Sequence, residues 1–290
     1  MVMMNRKVAV INDLSGFGRC SLTAAISVLS AMGAQSCPLP TAVLSAQTGF
    51  PSYYCLDLVE TMPKFTEEWQ KLDVCFKGIY TGFVTNERQI AHIFSFLEVF
   101  HQKDTFLLVD PIMGDDGILY DMFSTSLLER MKALVKEADV VTPNLTELCL
   151  LVDQDVAEVL TIAETAVLLK KIKHMAEVLL GKGTKQVVVT GIRFLDETTK
   201  EKRMGNFIAT DTERKLIDFP YVDASFSGTG DLFASVLVGG MVRGDDLGQT
   251  VGLAGDFIEK SLRNAVAEDI DYNDGINFEQ NLQMLMNFSR

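Results

Sequence analysis

The chain has 290 residues, 48% of them hydrophobic and 22% charged, enough apolar material to bury a full core as an ordinary globular protein. Its formal net charge of −13 speaks against nucleic acid and acidic membrane surfaces as partners, since both require a basic face that releases counterions. An anionic ligand must then be held locally, by backbone amides, a metal ion or a few lysines.

The start, Met1 to Val10, shows no cleavable apolar region, and no run of 18 apolar residues follows it, so neither secretion nor membrane insertion is expected. Five cysteines without a C-x-x-C pair leave one unpaired in any disulfide scheme, which fits a reduced, cytoplasmic protein. Val8 to Asn12 reads as a buried strand, Asp13 to Arg19 as a loop, and residues 20 to 32 as an Ala- and Leu-rich helix ended by Gly33. The Gly16-x-Gly18 opening mimics a dinucleotide fingerprint. Ser21 replaces its third glycine, however, and no Asp or Glu lies between Ala31 and Leu56 to bind a ribose, which weakens an NAD-dependent oxidoreductase reading. Residues 36 to 50 give a short strand with a polar exit at Thr48-Gly49, locally no more than a turn.

Val74 to Tyr80 is a further strand, followed by Thr81-Gly82-Phe83 and a helix over 86 to 101. His92, His101 and His174 are the chain's three histidines, and their spacing forms neither a metal site nor a triad. Thr105 to Val109 ends in Asp110, an acid at the carboxyl end of a buried strand, where open α/β sheets bind ligands. A helix over 124 to 137 leads to the strand Ala138 to Thr142, and then to Pro143-Asn144-Leu145-Thr146-Glu147. Asn144 and Glu147 have capping-box spacing, which explains both; a hydrated Mg²⁺ held by one or two oxygen ligands would also suit this second polar cluster. A long helix over 161 to 181 precedes the strand Gln186 to Val189, where Thr190 and Gly191 would let a phosphate approach the backbone. Residues 192 to 222 suggest one or two antiparallel strands joined by a turn.

Ser225-Phe226-Ser227-Gly228-Thr229-Gly230-Asp231 then runs into a helix with apolar residues at 232, 233, 236, 237 and 241. Side-chain-free Gly228 and Gly230, with the unpartnered N–H groups of a helix start, make an anion site. Asp231 puts a carboxylate where a phosphate would be attracted. It either caps the helix or takes a proton from an alcohol attacking a phosphoryl group. A last helix spans 246 to 267. The alternation of strand and helix, without linker or repeat, predicts one α/β domain over 1–290, with a mostly parallel central sheet covered by helices on both faces. No Walker phosphate loop occurs.

Val109 to Asp115, Thr142 to Glu147 and Gly228 to Asp231, in this order, resemble the ribokinase-like superfamily, and within it most closely the pyridoxal kinase branch. Gln47 to Phe50 and Thr81 to Phe83 match where that branch contacts its vitamin, and Thr190-Gly191 where it approaches ATP. The resemblance implies phosphorylation of the 5′-hydroxymethyl group of a B6 vitamer by ATP. Asp231 would be the base and the amides of Gly228, Thr229 and Gly230 the anion hole. Asp110, Asn144, Glu147, Thr190 and Gly191 would serve ATP, with Glu147 and Asp110 supporting Mg²⁺ largely through water. Asp13, Thr48 and Phe83 would meet the substrate, and Phe50, Tyr53, Tyr54 and Phe83 would line an aromatic wall. A monovalent cation such as K⁺ and a homodimer are implied as well. Departures are Asp13-Leu14 where many pyridoxal kinases have Ser-His, and Phe83 where they have tyrosine. A carboxylate at 13 suits an ammonium, so pyridoxamine becomes a reasonable preference. The related hydroxymethylpyrimidine kinases are the nearest alternative, although their glycine turn often carries cysteine where this chain has Asp231. A non-catalytic nucleotide or vitamin sensor is the other.

Overall fold

The computed structural model describes residues 6–120 and 124–286. The chain divides into two compact units, one made of Met1–Leu107 with Val222–Arg290, the other of Leu108–Tyr221. In the first, β1 (Lys7–Ser15) leads to α1 (Ser21–Ala31), β2 (Gln35–Leu44), β3 (Cys55–Asp57), α2 (Met62–Lys71), β4 (Gly78–Thr81) and α3 (Glu87–Phe100). β1 pairs in parallel with both β2 and β4, and β3 adds an antiparallel edge to the end of β2. Four residues in succession on β1, Val8 to Ile11, are fully buried, the continuous apolar run of a strand covered on both faces.

The strand expected within 36–50 is longer than predicted and includes Pro38 and Pro40. It tolerates them because β3 pairs only with Ala42, Val43 and Leu44, so the edge of β2 that the prolines leave without N–H groups has no strand to satisfy. β4 is shorter than the expected 74–80. Phe76 instead joins Phe65, Trp69, Phe96 and Phe100 in an aromatic cluster with ring centroids 4.6 to 6.1 Å apart.

The second unit follows the strand β5 (Phe106–Val109) with the two-stranded ribbon β6 (Gly114–Asp115) and β7 (Ile118–Leu119), then α4 (Thr125–Lys136), β8 (Val140–Val141), α5 (Leu145–Leu151), α6 (Val156–Leu160), α7 (Thr165–Gly181), β9 (Gln186–Leu195), β10 (Lys202–Ala209) and β11 (Arg214–Pro220). β5, β8 and β9 are parallel neighbours, and β10 and β11 extend them in antiparallel fashion. Two expectations shift here. The long helix starts at Thr165 rather than 161, because a separate short helix, capped by Asp155, ends at Leu160. β9 continues through Thr190-Gly191, with Gly191 at φ +69° beside the irregularity in its pairing with β10.

The chain returns to the first unit with α8 (Thr229–Arg243) and α9 (Leu247–Ala267). α8 is buried on nearly every side, and Gly239 and Gly240 let its neighbours close on it. A Cβ there would lie 2.3 Å from Met32 Sδ and 2.5 Å from Thr250 Cγ2. The expected α/β class, with a mixed, mostly parallel sheet flanked by helices, is the one found. Among the described residues no helix is long and apolar enough to cross a membrane.

Candidate active site

The glycine turn ahead of α8 is fixed by the backbone beneath it. Gly228 occupies the left-handed region at φ +85°, and a Cβ there would meet the Arg19 carbonyl oxygen at 2.1 Å. Only glycine fits. Asp231, three residues on, does not cap its own helix: α8 has no side-chain cap. Its Oδ1 accepts a hydrogen bond from Asn12 Nδ2 at 3.1 Å, and the carboxylate also accepts from the backbone N–H of Ser21. Ser21 itself sits at φ +51°, an uncommon value for a residue with a side chain.

Burial pushes the Asp231 carboxyl up to about 6; the Ser21 N–H opposes this, nearby Asp13 adds to it, and the Asn12 amide opposes it again. Asp13 is buried too, accepts from Ser15 Oγ at 2.8 Å, and is likewise raised, chiefly by burial. The Cys20 thiol is pushed up to about 12 by burial and by the charges of Asp231 and Asp13, and so stays an inert thiol. A buried carboxylate that is ionised at neutral pH, yet readily protonated, has the properties of a general base.

The predicted substrate-facing segments lie in this same unit. Gln47 Nε2 reaches Ser227 Oγ (3.2 Å) and the carbonyl and Oδ1 of Asn273 (3.2 and 3.0 Å), tying the Gln47 to Phe50 segment to the residue before Gly228. Thr48 is exposed. Phe83 is half-buried, with its N–H donating to Asn12 Oδ1 at 2.8 Å and its carbonyl accepting from Thr41 Oγ1 at 2.9 Å. Of the expected aromatic wall, Phe50 is half-buried while Tyr53 and Tyr54 are exposed.

The second unit brings Asp110, Asn144, Glu147 and Thr190 together at the ends of parallel strands. Thr142 Oγ1 donates to Asp110 Oδ1 at 2.8 Å, and Thr190 bridges to Asn144, with its N–H on the Pro143 carbonyl at 2.9 Å. The capping box is present: Glu147 N–H donates to Asn144 Oδ1 at 3.0 Å, and Asn144 N–H to Glu147 Oε2 at 2.8 Å. The remaining oxygen, Oε1, accepts from Met113 N–H at 3.1 Å. Burial, then the charge of Asp110, raises Glu147 well above the usual carboxylate range, against the Asn144 and Met113 N–H groups. Gly191 has open space where a Cβ would stand, and its N–H donates to Asn206 Oδ1 at 3.3 Å.

These donors are all oxygens, which suits Mg²⁺. Both Glu147 oxygens are already engaged, however, and among the described residues no group of three or more His, Cys, Asp or Glu is placed to hold a metal. The fit is therefore to an ion that keeps most of its waters and is carried largely by a phosphate. Residues that sequence reasoning missed are Asn12, Ser21, Ser227 and Asn273. Asn12 alone left a trace, as the polar residue that ends the run Val8-Ala9-Val10-Ile11.

A sequence profile described as phosphomethylpyrimidine kinase matches residues 13–275. A Bacteroides thetaiotaomicron protein, assigned as a phosphomethylpyrimidine kinase and crystallised with pyridoxal, is 37% identical over 99% of this chain and 98% of its own, with a TM-score of 0.89. The pyridoxal kinase of Lactobacillus plantarum is 25% identical over 97% of this chain and 96% of its own, at a TM-score of 0.85. A Rubrobacter xylanophilus pyridoxal kinase is 30% identical over 163 residues, 55% of this chain and 52% of that one. The chain spans about half the length of the curated pyridoxal kinases it matches. The likeness read from the three motifs is borne out, and the profile runs from within β1, through the second unit, past the glycine turn. The chain belongs to the phosphomethylpyrimidine kinase family.

Proposed function

We propose that the chain is a pyridoxal kinase, transferring the γ-phosphoryl group of ATP to the 5′-hydroxymethyl oxygen of a B6 vitamer. The observation that carries this reading is Asp231. It is a buried carboxylate raised to about 6, held by Asn12 and the Ser21 N–H instead of capping its helix, and it follows directly on a turn that only glycine can make. Family membership supports the transfer, and the pyridoxal in the Bacteroides relative supports the acceptor.

In the proposed step Asp231 takes the hydroxyl proton as that oxygen forms its bond to the γ-phosphorus and the bond to the β,γ-bridging oxygen breaks, releasing ADP. The amides of Gly228, Thr229 and Gly230, at the positive end of α8, meet the charge on the equatorial oxygens. Mg²⁺, when bound, neutralises phosphate charge. Glu147 and Asp110 would hold its waters, with Asn144, Thr190 and Gly191 beside the nucleotide. Thr48, Phe83 and Asp13 would meet the vitamin, and Asp13 favours a vitamer that carries an ammonium. A single kinase domain is supported by the span of the profile, which enters both units. A monovalent cation, a homodimer and a cytoplasmic setting are carried over from the resemblance and composition.

A hydroxymethylpyrimidine substrate is the second reading, favoured by the description of the family profile and by a match to an Aquifex aeolicus hydroxymethylpyrimidine/phosphomethylpyrimidine kinase. An ADP-release assay with MgATP and pyridoxal, pyridoxamine, pyridoxine or hydroxymethylpyrimidine decides between them. Turnover of a B6 vitamer is expected, and turnover of the pyrimidine alone would transfer the assignment to it.

A further inference from the structure

Asn12 lies fully buried on β1, where its pairing with β2 shifts register, and its side chain makes three hydrogen bonds. The carbonyl oxygen accepts from the backbone N–H of Asp13 at 3.0 Å and of Phe83 at 2.8 Å. Because a backbone N–H can only donate, these two bonds fix which end of the carboxamide is oxygen. The amide nitrogen is thereby turned to Asp231, and donates to Oδ1 at 3.1 Å. Gly82 walls in the group from the side, since a Cβ there would stand 2.5 Å from Asn12 Nδ2.

The two backbone donors would be met equally well by an aspartate, so they do not select asparagine at this position. Asp231 does, because it is an acceptor in need of a donor. The titratable groups that face it are Asp13, from β1, and the Cys20 thiol, ahead of α1. Burial raises the pKa of both, and the Asp13 charge in turn raises that of Asp231. A neutral donor is what this acid-lined place can accept without a further negative charge.

We infer that Asn12 is a positioning residue for the phosphoryl transfer, holding the Asp231 carboxylate in one orientation and linking it to the backbone at Phe83. This rests on the kinase reading above. It also gives the base and a substrate-facing segment a common anchor: one carboxamide spans Phe83 and Asp231.

Two variants separate this role from a purely structural one. Asn12→Asp keeps both backbone bonds and removes the donor, while Asn12→Ala removes all three bonds. With aspartate carboxyl carbons labelled for NMR, and Asp231→Asn used to identify the resonance, Asp231 should titrate near 6 in the parent. In Asn12→Ala the midpoint should rise by about one pH unit, as expected for one lost hydrogen bond to a charged acceptor. In Asn12→Asp the two carboxyls should titrate in coupled steps, the upper at least about one pH unit above the parent's. The acid limb of turnover should move with the first variant at unchanged KM for ATP, and an alkaline limb absent from the parent should appear in the second. A structural residue would change unfolding stability alone, so titration curves that overlay the parent's in whichever variant folds overturn the inference. A parent without turnover but with the titration shifts intact overturns the kinase reading and leaves the positioning of Asp231 standing.

Discussion

Replacing Asp231 by asparagine should make the protein more stable while disabling it, and the stability gain should depend on pH. In the folded chain this carboxyl stands at about 6, against 3.8 for an ordinary aspartate. The folded chain therefore holds the proton more tightly than the unfolded chain does. Below about pH 3.8 both states are protonated and folding carries no penalty. Between 3.8 and about 6 stability falls as pH rises, and above about 6 the penalty is complete. At about 1.4 kcal/mol per pH unit it reaches an upper limit of about 3 kcal/mol at pH 7.5, and about 1.5 kcal/mol at pH 5. Asparagine is neutral throughout and keeps an oxygen to accept from Asn12. Urea unfolding without ligands, at both pH values, should thus show a gain in Asp231→Asn that is about twice as large at pH 7.5. The same variant should lose turnover by roughly 10²- to 10⁴-fold with ATP binding nearly intact. A variant that is less stable than the parent at both pH values, or whose gain is the same at each, would refute the burial argument. Near-normal turnover would remove Asp231 as the base.

Glu147→Gln can keep one oxygen on the Asn144 N–H but turns an amide NH2 toward the Met113 N–H that the second carboxylate oxygen now satisfies, so the urea midpoint should shift as well, and the Mg²⁺ needed for half-maximal turnover should rise; a Mg²⁺ titration that overlays the parent's leaves Glu147 with the cap alone. Gly228→Ala places a Cβ 2.1 Å from the Arg19 carbonyl at a positive φ, and should destabilise by at least about 3 kcal/mol; an unchanged urea midpoint would contradict the seat described for the turn. Asp13→Asn should lower kcat/KM for pyridoxamine relative to pyridoxal by about tenfold, the loss of one charge-assisted hydrogen bond. It should also move the acid limb of turnover to lower pH, because Asp13 contributes to raising Asp231. An unaltered vitamer ratio would remove Asp13 from substrate recognition.

Much of the site could be read from the sequence because it is written in short stretches. The Gly228 to Asp231 motif and the Asn144 to Glu147 box each fall within four residues, so spacing alone points to both, although the glycine turn is seated by Arg19 far away in sequence. The partner of Asp231 could not be read in this way. Asn12 lies 219 positions away, and nothing local distinguishes its amide from any polar residue at a strand's edge. Local statistics therefore left helix capping open for Asp231, and only its long-range bonds to Asn12 and the Ser21 N–H speak against it. The bond from Gln47 to Asn273 and the left-handed Ser21 escaped for the same reason. Element ends moved where tertiary context ruled, as in β2, whose Pro38 and Pro40 lie outside the stretch of its outer edge that β3 pairs.

The first unit is assembled from both ends of the chain, with the whole of the second unit inserted between them. On the ribosome, β1, α1 and β2 emerge early, but α8, which packs on α1, follows only after residues 108–221. At about 5–20 residues per second this is a wait on the order of ten seconds. The side of α1 that packs on α8 spends that interval without its final cover, while the contiguous second unit has all its own contacts available. Slow synthesis or a stall between 108 and 221 therefore lengthens the exposure of that side of α1, and the glycine turn that opens α8 is made only after the whole of the second unit.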